Sequence, residues 1–375
     1  MAFALTGARI FTGERFLDDH AVVISGARIA QVLPRHAIGA MRIQDLDGGL
    51  LAPGFIDVQV NGGGGALLND NPTVETVRTI ATSHRKFGTV GMLPTVITDV
   101  PSVTAKAIAA VREARAQGVP GVLGIHIEGP FLDVDRKGAH AQRFIREMTA
   151  EDAEQIAALD CGSVMLTLAP NRVSPALVKV LADRGVLVSL GHSDGAYAEA
   201  RLALDAGARA FTHLFNAMSQ MNGREPGMAG AAMADADSFV GIIADGHHVH
   251  DAALKVAFAA KVMGKMMLIT DAMPSAAGGP PAFELQGRDV RTVDGRLELS
   301  DGTLAGSNLT MDGAVRYCIN TLGLDAAETL RMASANPAAF LKRGHELGRI
   351  APGCLASLVH LGDEFQVRAT WIDGQ

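Results

Sequence analysis

Residues able to do chemistry recur in this chain directly after short apolar runs: Gln59-Val60-Asn61, His126-Ile127-Glu128, Gly191-His192-Ser193-Asp194, Thr212-His213-Leu214-Phe215-Asn216, Asp245-Gly246-His247-His248 and Thr270-Asp271. Glu128, His192 and His213 offer one carboxylate oxygen and two imidazole nitrogens, a ligand set that leaves a fourth position for water on a zinc-like ion. A lone histidine is more often a hydrogen-bonded core or rim residue. Two histidines and a glutamate placed alike are harder to explain by packing, because burying several ionisable groups together is costly without a partner ion. Asp271, after Met267-Leu268-Ile269-Thr270, is then placed to take a proton from an activated water and deliver it to a leaving group. Its plainer alternative is a turn or capping aspartate.

The elements that must position these residues alternate in type. Apolar runs at Gly54 to Val60, Thr89 to Pro94, Gly121 to Ile127, Ser163 to Leu168, Val186 to Leu190, Ala208 to Thr212, Phe239 to Ala244 and Met266 to Ile269 read as strands. Amphipathic segments between them, such as Val74 to Phe87, Val103 to Gln117, Pro175 to Arg184, Tyr197 to Ala206 and Ala252 to Met263, read as helices. This alternation predicts a parallel sheet wrapped by helices, and eight such units predict a closed (β/α)8 TIM-type barrel. Catalytic groups of that fold sit at the C-terminal ends of the strands, where the polar residues fall.

Before Pro53 the rhythm differs. Ala4 to Phe11, Ala21 to Ser25, Arg28 to Val32 and Arg42 to Asp45 read as short strands, as do Ala356 to Leu361 and Val367 to Ile372 near the other end. Two short tail strands are not stable alone, which predicts that they pair with the first ones in a small discontinuous β-sandwich domain built from both termini. The expected division is 1–52 and 345–375 for that domain and 53–344 for the barrel. Alternation and the turn pair Asp294-Gly295 predict a β-hairpin insertion near 283–302.

Of 375 residues, 48% are hydrophobic and 19% charged, so the chain can bury a large core. A net charge of −7 without a Lys/Arg run argues against nucleic acid and membrane surfaces as partners. Cys161, Cys318 and Cys354 are dispersed and odd in number, against both a disulfide framework and a thiolate metal site. No basic-then-apolar leader and no long apolar run is present, so a cytoplasmic location is expected. Gly62 to Gly65 lacks the following Lys-Ser/Thr of a phosphate loop and reads as a flexible rim.

Six segments in order carry a resemblance: Leu51-Ala52-Pro53-Gly54-Phe55-Ile56-Asp57, Gly124-Ile125-His126-Ile127-Glu128-Gly129-Pro130-Phe131, Gly191-His192-Ser193, Thr212-His213-Leu214-Phe215-Asn216-Ala217-Met218, Ala244-Asp245-Gly246-His247-His248 and Leu304-Ala305-Gly306-Ser307. Together they resemble the amidohydrolase superfamily and, within it, the N-acetylglucosamine-6-phosphate deacetylases. Many superfamily members carry His-x-His after the first strand and build a two-metal site; here those positions are Gln59 and Asn61, weak zinc ligands, as in the deacetylases. The resemblance implies one divalent ion per subunit on Glu128, His192 and His213, zinc first, with iron, cobalt or manganese as alternatives. It implies Asp271 as general base and then general acid, and His140, in Lys137-Gly138-Ala139-His140, as a contact to the acetyl carbonyl. It further implies sugar and phosphate contacts from Ala139, Asn216, the Ala217 backbone, Arg224, His248 and the Leu304-Ala305-Gly306 turn.

An arginine fork and a protonatable imidazole suit a phosphomonoester. Arg224 could equally be a solvated loop residue, and His247 or His250 could replace His248. The resemblance also implies a homodimer in which a phosphate-binding residue reaches across the interface. Its expected reaction is hydrolysis of N-acetylglucosamine 6-phosphate to glucosamine 6-phosphate and acetate, in amino-sugar catabolism or cell-wall recycling. The competing readings are a sister amidohydrolase acting on the galactosamine epimer or a cyclic amide, and a non-catalytic oligomeric scaffold.

Overall fold

A computed structural model describes residues 2–375. Strands Phe55–Val60, Thr89–Ile97, Gly124–Glu128, Ser163–Leu168, Leu187–Leu190, Ala210–Phe211, Phe239–Ile242 and Met266–Leu268 lie side by side in sequence order as one parallel eight-stranded sheet. The sheet closes on itself just beyond the last strand. Asp271 N–H donates to the Gln59 carbonyl and Asn61 N–H to the Ala272 carbonyl, both at 2.9 Å. The barrel strands run within a residue or two of the segments expected from hydropathy, except that Thr89–Ile97 continues three residues past Pro94 and Gly124–Glu128 begins three residues after Gly121. The helices begin where local chemistry satisfies their free N–H groups: the Thr73 side chain accepts from Thr76 N–H ahead of Val74–Arg85, Pro101 opens Pro101–Ala116, and Thr149 and Asp152 form a capping box on Ala150–Ala157.

Alternation along the strands divides the core in two. Phe55 faces the helices, whereas Ile56 and Val58 face the barrel axis, where they pack with Leu93, Met165, Phe239 and Met267; a register shift then turns Val60 back to the helices. Phe340 and Leu347, from beyond the last barrel strand, belong to this inner cluster and fill its lower end; the Phe340 ring lies 5.5 Å from that of Phe239. An apolar floor of this kind leaves the opposite, C-terminal end of the barrel for polar groups.

Two small sheets flank the barrel. One has the order Arg28–Pro34, His20–Ser25, Ala2–Thr6, Arg42–Asp45; the other has the order Val367–Trp371, Leu358–Leu361, Leu50–Pro53, Arg9–Phe11, Phe16–Leu17, so strands from both ends of the chain share it. Leu5, Val22 and Ile24 of the first pack with Ile10, Leu51, Leu358 and Trp371 of the second. The segment Ala4 to Phe11, read above as one strand, is two, each in a different sheet. Gly7 breaks it at φ +82°, where a Cβ would lie 1.9 Å from Asp45 Oδ1, and only glycine permits that turn and close approach.

The insertion is a three-stranded meander, Ala282–Leu285, Arg288–Val293 and Arg296–Leu299, rather than a two-stranded hairpin. Both of its turns have two successive residues at positive φ, Gln286-Gly287 and Asp294-Gly295, the pattern of a tight hairpin turn. Asp-Gly announces such a turn in a sequence and Gln-Gly does not, so the sequence predicts one turn where the structure has two. No helix of the described residues is long and apolar enough to cross a membrane.

The aromatic floor carries a stability prediction. Phe340→Ala is expected to cost about 3–5 kcal/mol by cavity formation, measured by denaturant unfolding, while bound-metal content stays at the wild-type level because the ring lies at the end of the barrel away from the polar mouth.

Candidate functional site

The polar strand ends converge on a cavity of about 390 Å³ at the barrel mouth, lined by Glu128, His140, His192, His213, His248 and Asp271. Asn61, Ala139, Asn216, Ala217 and the Leu304-Ala305-Gly306 turn complete the wall. Gln59 is buried beneath the lining, and Arg224 lies outside it on an exposed loop. A larger cavity, about 520 Å³, opens beside helices Pro101–Ala116 and Ala150–Ala157, but its lining has no histidine and its Asp152 is already paired with Arg146. Chemistry rather than size therefore selects the mouth.

Glu128 ends its strand, whereas His192, His213 and Asp271 each follow one in the left-handed region, at φ 48°, 32° and 51°. This conformation is costly for non-glycine residues. His192 Nε2 and His213 Nε2 are 3.0 Å apart, and they lie 3.3 and 3.2 Å from Glu128 Oε1. Donor atoms bound at about 2.0–2.1 Å around a tetrahedral ion are about 3.3 Å apart, so the triangle has the right size. The His192 Nδ1–H donates to the Arg136 carbonyl at 2.9 Å, which leaves Nε2 with a bare lone pair facing the other two atoms. A cluster of Glu128, His140 and His192 also has ligand-like spacing, but His140 Nε2 is 4.0 Å from Glu128 Oε2. The set with His213 is the tighter of the two. The buried Glu/His/His cluster fits a metal ion.

Burial alone would raise the Glu128 carboxyl, but hydrogen bonds and charge from His192 and His213 hold it well below the usual range. Burial, followed by the charge of His192, pushes the His140 imidazole down to about 3, so it is neutral. Its Nδ1 is 2.8 Å from the Thr98 hydroxyl. Burial and the nearby Glu128 charge push Asp271 up to about 6. Two amides hold it: Asn61 Nδ2 donates to Oδ1 at 2.7 Å, and Gln59 Nε2 at 3.1 Å. The same Gln59 nitrogen lies 3.1 Å from Glu128 Oε1. Facing carboxylates fix these amides with nitrogen inward, since the opposite flip would set oxygen against oxygen. Across the mouth, His248 Nδ1 pairs with Asp245 Oδ2 at 2.6 Å.

Sequence reasoning missed three supporting residues. Arg136 lines the cavity, its carbonyl orients His192, and its guanidinium pairs with Asp194 at 2.7 Å. Thr98 steadies His140. Asp57, wholly buried, lies 2.5 Å from the Thr270 hydroxyl, next to Asp271. Only Asp57 left a signal, as a carboxylate inside an apolar strand; Arg136 and Thr98 reach the site through loop geometry.

Two outcomes follow from this geometry. His213→Ala removes one corner of the triangle and should lower metal content from about one ion per chain to well below it, by elemental analysis after dialysis, with the far-ultraviolet spectrum unchanged. Burial raises Asp57 to about 7 from its ordinary 3.8, so the folded chain holds a proton that the unfolded chain releases between those values. The associated stability is fully present below about pH 4 and is lost as pH rises to 7. Asn has the shape and donor of the protonated acid. Asp57→Asn should therefore be near neutral at pH 4 and stabilising by on the order of 1–3 kcal/mol at pH 8, read as a difference in denaturant midpoints.

Comparison with known proteins agrees with the geometry. Residues 50–375 match the model of the amidohydrolase family, and residues 2–51 match the NagA composite domain. An N-acetylgalactosamine-6-phosphate deacetylase of Shewanella sp. (strain ANA-3) is 42% identical, over 98% of this chain and 94% of its own. The N-acetylglucosamine-6-phosphate deacetylase of Haemophilus influenzae is 33% identical, over 100% of this chain and 99% of its own. The crystal structure of N-acetylglucosamine-6-phosphate deacetylase from Pasteurella multocida superposes with a TM-score of 0.97 at 33% identity, covering 100% of this chain and 99% of that one. By sequence and by fold, this chain belongs to the amidohydrolase family.

Proposed function

We propose that the chain hydrolyses the acetamide of N-acetyl-D-glucosamine 6-phosphate to D-glucosamine 6-phosphate and acetate. The observation that carries this reading is the convergence of Glu128, His192, His213 and Asp271 on one cavity, in a chain similar along its whole length to amino-sugar phosphate deacetylases. Glu128, His192 and His213 would hold one divalent ion, zinc first, since a carboxylate with two imidazoles also accepts iron, cobalt or manganese. Such an ion supplies Lewis acidity, bringing the pKa of water toward 7 and polarising a carbonyl.

The chain's own groups supply the rest. Asp271 has Oδ1 occupied by two amide donors, so Oδ2 is the oxygen that takes a proton from the attacking water and returns it to the departing amine. His140 presents Nε2 to the cavity. The single Thr98 hydroxyl proton has two acceptors in reach, His140 Nδ1 at 2.8 Å and the Glu128 carbonyl at 3.1 Å; given to Nδ1, it leaves the neutral ring protonated on Nε2, which would then donate to the acetyl oxygen. Asn216 and the Ala217 backbone lie on the side of the mouth where the sugar would enter, and His248, held by Asp245, offers its free nitrogen to the phosphate. Arg224, outside its own cavity and exposed, suits a role in the site of a second copy, which favours a homodimer. This is the chemistry of cytoplasmic amino-sugar catabolism or cell-wall recycling.

A second reading has specific support: the 42% identical relative is named for N-acetylgalactosamine 6-phosphate. The two sugars differ in the orientation of one hydroxyl. Acetate release from both 6-phosphates, and from the unphosphorylated sugars, on protein of measured metal content separates the readings. We expect turnover of a phosphorylated sugar, with kcat falling about 10²–10⁴-fold in Asp271→Asn and metal content unchanged. Undiminished turnover in that variant would sink the mechanism, and no turnover of any of them by wild type would sink the substrate assignment.

A further inference from the structure

The cavity has two unlike halves. Asn216, Ala217 and His248 come from the ends of the sixth and seventh barrel strands. On the other side, Ile97 ends the second strand, Met273 follows the eighth, and Leu285 comes from the meander; with Ala139 and Ala305 they line the cavity. These five belong to one apolar cluster, whose remaining members include Val290, Leu297 and Leu299 of the meander. The meander is thus the body behind one wall of the site.

That wall is held in place by polar contacts. Gln286, next to Leu285, donates to the Thr98 carbonyl at 2.8 Å and to Asp99 Oδ2 at 2.9 Å. Arg288 donates to the Ala139 carbonyl at 2.5 Å. The tip of the first turn is therefore pinned to the end of the second barrel strand, beside Thr98 and His140. Leu285 itself is only 1% exposed. A side chain so packed is a fixed boundary rather than a flap.

Resting on the deacetylation reading above, we propose that Leu285, with Ile97 and Met273, forms the acyl subsite and limits the substrate to short N-acyl groups. The scissile carbon must lie beside the Glu128, His192 and His213 triangle and within reach of Asp271. Its two other substituents, the nitrogen that carries the sugar and the acyl methyl, diverge from it. With the sugar directed to Asn216 and His248, the methyl points at the apolar half. Hydrophobic pockets discriminate a single methylene by about 10–200-fold, which sets the scale of the selectivity one leucine can impose.

The test compares kcat/KM for N-acetyl and N-propionyl forms of the same hexosamine 6-phosphate, in wild type, Leu285→Ala and Val290→Ala. Val290 is wholly buried in the same cluster but does not line the cavity, so its truncation loosens the meander without opening the subsite. We expect Leu285→Ala to raise the propionyl-to-acetyl ratio by about tenfold or more, and Val290→Ala to leave that ratio at the wild-type value. Should Leu285→Ala not fold, Leu285→Val must move the ratio in the same direction by a smaller factor. An unchanged ratio in a folded Leu285 variant, with wild type active on the acetyl form, overturns the subsite and leaves the deacetylase reading standing. An equal shift in Val290→Ala also overturns it, because loosening would then be the cause. A wild type inactive on both amides removes the deacetylase reading itself.

Discussion

Three donor atoms within 3.0–3.3 Å of one another, one carboxylate oxygen and two imidazole nitrogens, sit almost wholly out of solvent at the mouth of the barrel. Such a set is expensive to bury unless a cation compensates it. Much of the surrounding structure exists to hold it: left-handed backbone at His192 and His213, the Arg136 carbonyl that sets the His192 tautomer, and the Gln59 amide against Glu128. A second polar layer lies beneath, where His126, Thr167, Thr212 and Ser189, from the third to the sixth strands, hydrogen-bond across the barrel interior. The apolar floor starts below that. The barrel is therefore graded along its axis, from apolar packing through neutral hydroxyls to the charged rim.

Barrel closure and assembly of the site are one event. The hydrogen bonds that join the first strand end to the segment after the eighth are made by Gln59, Asn61, Asp271 and Ala272. The side chains of the first three then meet above them. Asp271 owes its place to this seam on both sides: Ser307 N–H donates to its carbonyl at 2.9 Å, and the Thr270 hydroxyl is tied to Asp57. A register shift at the seam between the first and eighth strands would separate the carboxylate from the triangle, which ties the geometry of the mouth to the stability of the fold.

The positions where many superfamily members carry two histidines show how a ligand pair can become a donor pair. Gln59 and Asn61 keep the reach of histidine side chains and lose their affinity for zinc-like ions. Their N–H groups instead occupy the space between Glu128 and Asp271, two carboxylates that would otherwise repel. Hydrogen-bond donors there ease the repulsion between the two carboxylates without a cation.

The sequence alone determined the alternation of strands and helices, the barrel, the pairing of chain ends in a small β unit, and the meeting of Glu128, His192, His213 and Asp271 at one mouth. Each rests on local information: hydropathy of period two or three to four, and polar residues directly following apolar strands, a relation the barrel preserves because every strand end opens on the same face. Other features were decided by tertiary structure. Gly7 splits a strand because Asp45 approaches it from a distant segment. Arg136, Thr98 and Leu285 enter the site from loops and from the meander, and no periodicity says where a loop will fold back. Arg224, implied as a substrate contact by the resemblance alone, lies outside the cavity of its own chain. Contacts between segments far apart in sequence depend on how the closed sheet orients its connections, and that orientation is a property of the packed whole.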